Sequence, residues 1–334
     1  MDCILTILKP PGMTSHDVVA MVRRHLRQRR VGHTGTLDPG AAGVLVLCIG
    51  RATRLISFME GHDKGYRAEL SLGRSTDTQD ASGEVLREDR SFSIENEDFE
   101  RVFTAFRGTI EQIPPMVSAL KYKGQRLYKL ARQGKVVERK RRPVNIHELS
   151  PVGQWRRSRW EFGDTIQFDV ICSKGTYIRT LCEDIGMYLG VPAHMSFLLR
   201  TKVGPWSLED VITLEEFVKA AEEVCEGQVS AKDILGLPGF FALDWGVRHL
   251  PGVAISLRAA ERVRHGARIR SSQVAHTIKP EGSDVTDWAG IAGPPQLLRV
   301  YDVEGRFLGI GRGIGAGEEW DLQPVRVLPS DSGQ

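Results

Sequence analysis

Alternating apolar and polar positions predict strands in separate parts of the chain. From Tyr66 to Gly73 every second residue is apolar or aromatic, and arginine, glutamate and serine stand between them. The segment from Ile166 to Cys172 alternates in a similar way, and Ile4 to Leu8 form a short apolar run. Side chains of a strand point alternately to its two faces, so we expect each segment to bury one face. The continuous run Val44 to Ile49 predicts a core strand.

Apolar residues at helical spacing predict helices between these strands. One helix is expected from about Ser15, where Thr14 and Asp17 can form a capping pair. A second is expected at Glu95 to Arg107, where three phenylalanines and a valine share one side. A third should follow the turn at 173–176.

The last part of the chain predicts a separate, β-rich module of about 80 residues. A boundary is expected near Leu250 to Gly252, followed by a helix from Ala259 to His265. Two short strand patterns, Leu297 to Tyr301 and Arg306 to Ile310, flank a four-residue turn and predict a hairpin. Residues Ile278 to Pro295 are rich in glycine, proline and aspartate and predict a loop.

Length and composition are those of a soluble globular protein. The chain has 334 residues, of which 41% are hydrophobic and 26% charged. No apolar run approaches the ~20 residues of a membrane helix, and no signal peptide is visible, so no membrane partner is expected. The five cysteines form no C-x-x-C pair and no zinc spacing occurs. These features predict a cytoplasmic protein without a metal or another cofactor.

Positive charge is concentrated in one segment. Residues 121–142 contain ten lysines or arginines and one acid, a net charge of +9 within a chain of net charge +3. The remainder therefore sums to −6. Two tyrosines and two leucines lie among these cations, which favours contact with a nucleic acid. The alternative is a solvated, charge-rich loop.

The segment Gly32 to Gly43 carries the most informative pattern in the chain. Asp38 lies among glycines and threonines, five residues after His33, and a core strand follows at once. A flexible loop before a buried strand can present a carboxylate to a bulky ligand. The alternative is a plain Asp-Pro-Gly turn. A phosphate cradle is disfavoured, because the P-loop pattern is missing and the segment precedes a strand instead of a helix.

Two cations stand where the predicted third helix begins, although the helix dipole disfavours positive charge there. Lys174 and Arg179 occupy these positions. A local rule broken without visible gain often marks a functional site. The alternative is an i,i+4 ion pair between Arg179 and Glu183.

Seven motifs, in this order and over roughly the first 250 residues, resemble the TruB family of RNA pseudouridine synthases. They are Lys9–Ser15 (KPPGMTS), Gly32–Pro39 (GHTGTLDP), Lys64–Arg67 (KGYR), Thr76–Asp80 (TDTQD), Pro114–Lys121 (PPMVSALK), Ser173–Arg179 (SKGTYIR) and the stretch Ala193–Arg200. The C-terminal module is similar to a PUA domain, an RNA-binding fold.

The resemblance implies an α+β fold with a mixed, mainly antiparallel sheet, flanking helices and a small β-rich PUA-like domain. It implies a catalytic domain at 1–248, a basic RNA-gripping insertion at about 114–145 and a PUA-like domain at 249–330. Val117 departs from the family, where many members have an aromatic residue, and this difference is expected to affect the packing of the insertion and not the chemistry.

The resemblance also assigns roles to individual residues. It implies that Asp38 is the catalytic carboxylate, Tyr66 stacks near the target base and Arg179 pairs with Asp38. Substrate-binding roles are implied for His33, Leu198, Lys9, Lys121, Arg126, Lys129 and Lys174.

The implied reaction is isomerisation of the T-loop uridine of tRNA, after that base is flipped from its stack. Asp38 can attack C1′ or take a proton from C2′, and both routes need an ionised carboxylate. The implied partner is the tRNA T stem-loop, with no cofactor, no protein partner and a monomeric enzyme. A tRNA-folding chaperone without essential catalysis is the alternative function.

Overall fold

The structure is a computed structural model, and it describes residues 1–118, 120–154, 158–227, 233–280, 296–316 and 319–329. Most of the loop expected at 278–295 and the last residue of the predicted C-terminal domain therefore lie outside the described residues. No helix in the described ranges is long and apolar enough to cross a membrane.

Within these ranges the chain forms seven α-helices and 22 strands, with short 3₁₀ turns between some of them. The helices are α1 (Ser15–His25), α2 (Ile56–Met59), α3 (Asn96–Phe106), α4 (Leu127–Ala131), α5 (Ile178–Leu189), α6 (Leu214–Cys225) and α7 (Leu257–Arg264). The strands of the first half are β1 (Cys3–Lys9), β2 (Val31–His33), β3 (Ala42–Ile49), β4 (Lys64–Leu72), β5 (Arg74–Thr76), β6 (Val85–Glu88), β7 (Ile94–Glu95), β8 (Gly108–Gln112), β9 (Lys121–Tyr122), β10 (Gln125–Arg126) and β11 (Arg142–Pro151). Those of the second half are β12 (Arg159–Trp160), β13 (Thr165–Cys172), β14 (Ala193–Val203), β15 (Trp206–Ser207), β16 (Phe240–Phe241), β17 (Gly252–Ile255), β18 (Ile269–Arg270), β19 (Val274–Ile278), β20 (Leu297–Asp302), β21 (Phe307–Ala316) and β22 (Glu319–Val327).

One large sheet organises the first part of the chain. Its strand order is β16-β1-β3-β14-β4-β13-β11-β8, with β2 paired to β3 and β15 to β14. The pairs are antiparallel except that β14 lies parallel to β3. The predicted mixed, mainly antiparallel sheet is confirmed. The four strands that the sequence pattern predicts are β1, β3, β4 and β13.

The helices α1, α3, α5 and α6 cover one face of this sheet. Four positions lie in register across β1, β3, β14 and β4 and therefore share a face: Lys9, Gly43, Arg200 and Tyr66. The apolar side chains of that face pack against α1 and α6 at one end and against α3 and α5 at the other.

The predicted helix limits agree closely with the structure. Thr14 and Asp17 form a reciprocal capping box at the start of α1. Helix α3 covers eleven residues of the predicted segment 95–107. Helix α5 ends at Gly190, which has a left-handed φ of 78°.

Several elements were not predicted, and β14 matters most for the site. Two register shifts interrupt its pairing with β4, between Met195 and Phe197 and between Arg200 and Lys202. These irregularities interrupt the alternation of apolar and polar residues from which a strand is predicted. Helix α6 and strands β8, β11 and β22 were also missed.

The C-terminal module is a six-stranded sheet with α7 against it. Its strand order is β18-β22-β21-β20-β17-β19, and the predicted hairpin is β20 with a longer β21. Ile310 and Leu328 pack with Val247 against the other face of the large sheet. The Tyr301 hydroxyl donates to Asp244 at 2.8 Å, so polar contacts also link the module to the preceding segment.

Gly43 allows β3 and β14 to approach each other where residues 34–41 enter the sheet. We call these residues the catalytic loop, because the resemblance implies that Asp38 is the catalytic carboxylate. Its φ is +118°, and a β-carbon at this position would overlap the backbone of Arg200. Only glycine tolerates both the backbone conformation and the close approach.

We therefore expect Gly43→Ala to lower the free energy of unfolding by about 2–4 kcal/mol, because it adds backbone strain and a steric clash. Gly40→Ala is the matched control, since a β-carbon there meets nothing within 4 Å. Urea unfolding of both variants measures the difference. Equal stabilities would show that the close approach at Gly43 is not required.

Candidate active site

Asp38 lies in the loop that joins β2 to β3. Its backbone carbonyl accepts a hydrogen bond from the Ala41 amide at 3.1 Å, so the expected Asp-Pro-Gly turn is present. The Ser15 hydroxyl accepts a hydrogen bond from the Leu37 amide at 2.9 Å and ties the loop to the start of α1. The Asp38 side chain is 40% exposed. The turn therefore also presents a carboxylate to solvent.

Arg179, at the start of α5, reaches Asp38. Its Nε lies 2.9 Å from a carboxylate oxygen of Asp38, and its side chain is only 4% exposed. The two remaining guanidinium nitrogens donate to the carbonyls of Thr78 and Val117 at 3.0 and 2.9 Å. The alternative ion pair with Glu183 is not formed, since that carboxylate accepts from Gln79 instead. The resemblance implies that Arg179 pairs with Asp38, and the structure has this contact.

A second carboxylate lies near the same guanidinium. Asp80 Oδ2 is 3.7 Å from Arg179 Nε, and its side chain is 19% exposed. Asp80 Oδ1 accepts hydrogen bonds from the Thr78 hydroxyl and the Ser82 amide. The motif that contains Asp80 was recognised, but no role was assigned to this residue from the sequence.

Arg200 on β14 is a site residue that the sequence reasoning missed. It is buried, and its guanidinium donates to the carbonyls of Val44, Thr36 and Gly35 at 2.8, 3.2 and 3.2 Å. It therefore fastens the catalytic loop to the sheet. Arg200 stands two residues after Leu198, but this spacing gives no signal for its role, because β14 is irregular and its contact with β3 is not local.

Tyr66 lies beside Arg200 on the neighbouring strand β4. Its side chain is buried within the main apolar cluster and its register partner is Arg200. Burial raises the pKa of the Tyr66 hydroxyl to about 12, against the opposing effect of Arg200. The phenol is therefore neutral at physiological pH and can form hydrogen bonds without acting as a base.

Lys9 lies beneath the catalytic loop. It is fully buried, and its ammonium donates to the carbonyls of Pro10, Pro39 and Ala41 at 2.8, 3.3 and 2.7 Å. Burial, with a further effect of Arg200, lowers the pKa of Lys9 to about 8. Lys9 therefore supports the catalytic loop from below. To contact a substrate directly, its ammonium would have to leave these three carbonyl partners.

A cavity of about 300 Å³ opens between the catalytic loop, β4, β14 and the start of α5. Asp38, Tyr66, Leu198 and Arg200 line it, together with the exposed Lys174. A second cavity of about 460 Å³ lies on the other side of Val117 and shares Asp38, Arg179 and Leu198 with the first. The structure therefore brings five of the predicted residues around one space: Asp38, Tyr66, Lys174, Arg179 and Leu198.

His33 lies at the end of β2, outside the lining of both cavities. Its ring packs edge-on against His16, with 5.5 Å between ring centroids. Burial, then His16 and Arg200, lowers the pKa of His33 to about 4. The imidazole is consequently neutral at physiological pH.

The basic insertion forms two short strands, β9 and β10, and helix α4. Leu127 and Leu130 are buried, while Lys121, Arg126 and Lys129 are exposed. The Tyr128 amide donates to the Ser118 carbonyl at 3.1 Å. Since Arg179 binds the adjacent Val117 carbonyl, the departure at Val117 lies directly against the site and not only within the insertion.

The chain is similar to known proteins over most of its length. Residues 23–178 match the family described as "TruB family pseudouridylate synthase (N terminal domain)", and residues 179–235 match "tRNA pseudouridylate synthase B C-terminal domain". The tRNA pseudouridine synthase B of Alkaliphilus oremlandii is 47% identical over 329 residues, 98% of this chain and 98% of that protein. That of Symbiobacterium thermophilum is 48% identical over 266 residues, 80% of this chain and 82% of that protein.

The fold has a counterpart among solved structures. A chain of the "Crystal Structure of a Cbf5-Nop10-Gar1 Complex" is 27% identical, with a TM-score of 0.73. The match covers 98% of this chain and 86% of that chain.

The neutral state of His33 predicts a pH dependence of stability. The folded protein holds the pKa of His33 near 4, below the usual value of 6.5, so the unfolded chain binds the proton more readily. This contribution to stability is fully present above pH 6.5 and is lost as the pH falls from 6.5 towards 4. We expect His33→Gln, which carries no titrating group, to lose less stability over that interval than the unmodified protein. Urea unfolding at several pH values measures both, and parallel curves would contradict the prediction.

Proposed function

The chain belongs to the TruB family of pseudouridylate synthases, and on this premise we propose that it isomerises one uridine of tRNA to pseudouridine. The proposed target is the T-loop uridine, position 55 in tRNA numbering. The observation that carries the proposal is the ion pair between the half-exposed Asp38 and the buried Arg179, at the wall of a cavity that Tyr66 also lines. The family membership makes the chain a pseudouridine synthase, and the position in tRNA is the further step.

The reaction breaks the bond between N1 of the uracil and C1′ of the ribose, turns the uracil and joins its C5 to C1′. Reactants and product have the same atoms, so neither an oxidant nor a group donor is needed. Asp38 is the catalytic residue, by attack on C1′ or by removal of the C2′ proton. Both routes need the ionised carboxylate, and the Arg179 guanidinium orients it.

The uridine must leave its base stack to reach Asp38. Extrusion of a base costs a few kcal/mol. Stacking on an aromatic side chain such as Tyr66 returns ~1–3 kcal/mol. Leu198 closes part of the same cavity, so we assign it to confining the detached uracil while the base turns.

Affinity for the rest of the tRNA comes from exposed cations. We assign the exposed Lys121, Arg126 and Lys129 of the insertion to contacts with phosphates of the T stem-loop. Lys174, which is exposed and lines the cavity, is assigned to the same substrate. The β-rich C-terminal module is assigned a second RNA-binding role, as its resemblance to a PUA domain implies. His33 lies outside the lining of both cavities, so we assign it to holding the tRNA loop from which the base has been turned out.

We expect Asp38→Asn to abolish pseudouridine formation, with a loss of at least about 10³-fold in the single-turnover rate, because the amide cannot serve as nucleophile or base. Binding of unmodified tRNA should change little. Chemical labelling specific for pseudouridine, applied to a T-loop substrate, measures conversion, and filter binding measures affinity. The same variant tests the chaperone alternative, since a pure folding role would survive it.

Glu60→Gln is the matched control, because Glu60 is the other carboxylate that lines this cavity within the described residues. Its conversion rate should stay within about threefold of the unmodified protein, as a residue outside the reaction would. An active Asp38→Asn, or conversion at another tRNA position by the unmodified enzyme, would contradict the proposal.

A further inference from the structure

A second group of cations lies far from the insertion, at the end of α1. Arg24, Arg27, Arg29 and Arg30 are all exposed, and we call them the α1 arginine surface. Their guanidinium groups make no ion pair or hydrogen bond with any residue that the structure describes. The neighbouring Arg23 differs, because it donates to the Val31 carbonyl at 2.7 Å and fixes the helix end to β2.

The backbone at Arg27 is unfavourable for an arginine. Its φ is +47°, in the left-handed region. The Gln28 amide donates to the Arg23 carbonyl at 3.1 Å, and the Arg27 amide donates to the Arg24 carbonyl at 3.3 Å. Glycine is the usual residue where a helix ends in this way. An arginine at this position therefore lowers the stability of the fold relative to glycine. This cost indicates that the positive charge has a function.

No carboxylate in the described residues forms an ion pair with the α1 arginine surface. Asp2 is engaged by Arg51, whose Nε lies 2.7 Å away. Helix α6 packs beside α1 and is acidic, but Glu216 caps its own helix by accepting from the Thr213 amide at 2.7 Å. An uncompensated cluster of arginines attracts polyanions, and the guanidinium group suits phosphate oxygens in particular.

The α1 arginine surface lies on the same face of the large sheet as the catalytic cavity. Helix α1 starts at Ser15, which binds the catalytic loop at Leu37, and its 11 residues span about 16 Å. The cavity therefore lies near one end of α1 and the arginines at the other.

The basic insertion lies on the opposite side of the cavity. It connects β8 to β11. In the sheet, β11 is the fourth strand from β3 and β8 is the fifth. At ~4.8 Å per strand, the distance from β3 to β11 is about 19 Å. An RNA seated in the cavity would thus have one cationic surface on each side.

We propose that the α1 arginine surface binds backbone phosphates of the same RNA whose uridine occupies the cavity, on the side opposite the insertion. The inference rests on the proposed function for the identity of that RNA. The contacts are to phosphates and not to bases, so they add affinity and orient the RNA without reading its sequence. The helix dipole explains basic residues in the last turn, but Arg29 and Arg30 lie beyond the end of α1.

The test measures binding of an unmodified tRNA transcript as a function of KCl concentration. The triple variant Arg24→Gln, Arg29→Gln, Arg30→Gln should bind about 10- to 100-fold more weakly near physiological salt. The slope of log affinity against log salt should decrease by about 2–3, because roughly one counterion is released per phosphate contact. The rate of conversion at saturating tRNA should stay within about twofold, since these residues touch no reacting atom.

The variant Arg27→Gly distinguishes the effect of the positive charge on tRNA binding from its effect on stability. Glycine relieves the left-handed backbone, so the variant should be at least as stable as the unmodified protein in urea, and yet it should bind tRNA more weakly. Arg87→Gln is the matched control, because Arg87 is an exposed arginine on β6, and its removal should leave the salt slope unchanged. Unchanged affinity and slope in the triple variant, or an equal loss in Arg87→Gln, would overturn the proposal.

The binding measurements are repeated with Asp38→Asn in every variant. If the unmodified enzyme converted no T-loop uridine, the proposed function would fail, while the binding data would still decide whether the α1 arginine surface contacts RNA.

Discussion

One buried guanidinium holds the candidate active site together. Arg179 binds Asp38 with one nitrogen and the carbonyls of Thr78 and Val117 with the other two, so three separate loops meet on a single side chain. Removing Asp38 would leave the buried Arg179 without its carboxylate partner, which costs stability because a buried charge loses its compensation. The same contact that stabilises this junction also orients the Asp38 carboxylate. Folding and chemistry therefore depend on one interaction.

Two further buried cations hold the catalytic loop from the opposite side. Arg200 donates to the carbonyls of Gly35 and Thr36, and Lys9 donates to those of Pro39 and Ala41. A loop rich in glycine and proline has no regular backbone pairing of its own, so its buried carbonyls need such donors. Desolvation opposes each of these charges, as the lowered pKa of Lys9 shows. The buried charges therefore carry a desolvation cost, and they lie where the Asp38 carboxylate has to be held in a fixed position.

The sequence predicts the elements that follow a simple period. The alternation around Tyr66 correctly assigns its side chain to the core face. The unfavourable cation at the start of α5 indicates Arg179 as a candidate, and the structure places it beside Asp38. The role of Arg200 was not predictable in this way, because it depends on the parallel contact between β14 and β3, which no local pattern encodes. Residue roles taken from the family resemblance, such as those of His33 and Leu198, remain predictions, although the structure places Leu198 at the cavity.

The central claim is that Asp38 and Arg179 act as one unit. A double-mutant cycle with Asp38→Asn, Arg179→Gln and the combined variant tests this most directly, with single-turnover pseudouridine formation and urea unfolding as readouts. We expect strong non-additivity, so that the double variant is little slower and little less stable than the worse single variant. Additive losses, in rate and in stability, would contradict the account.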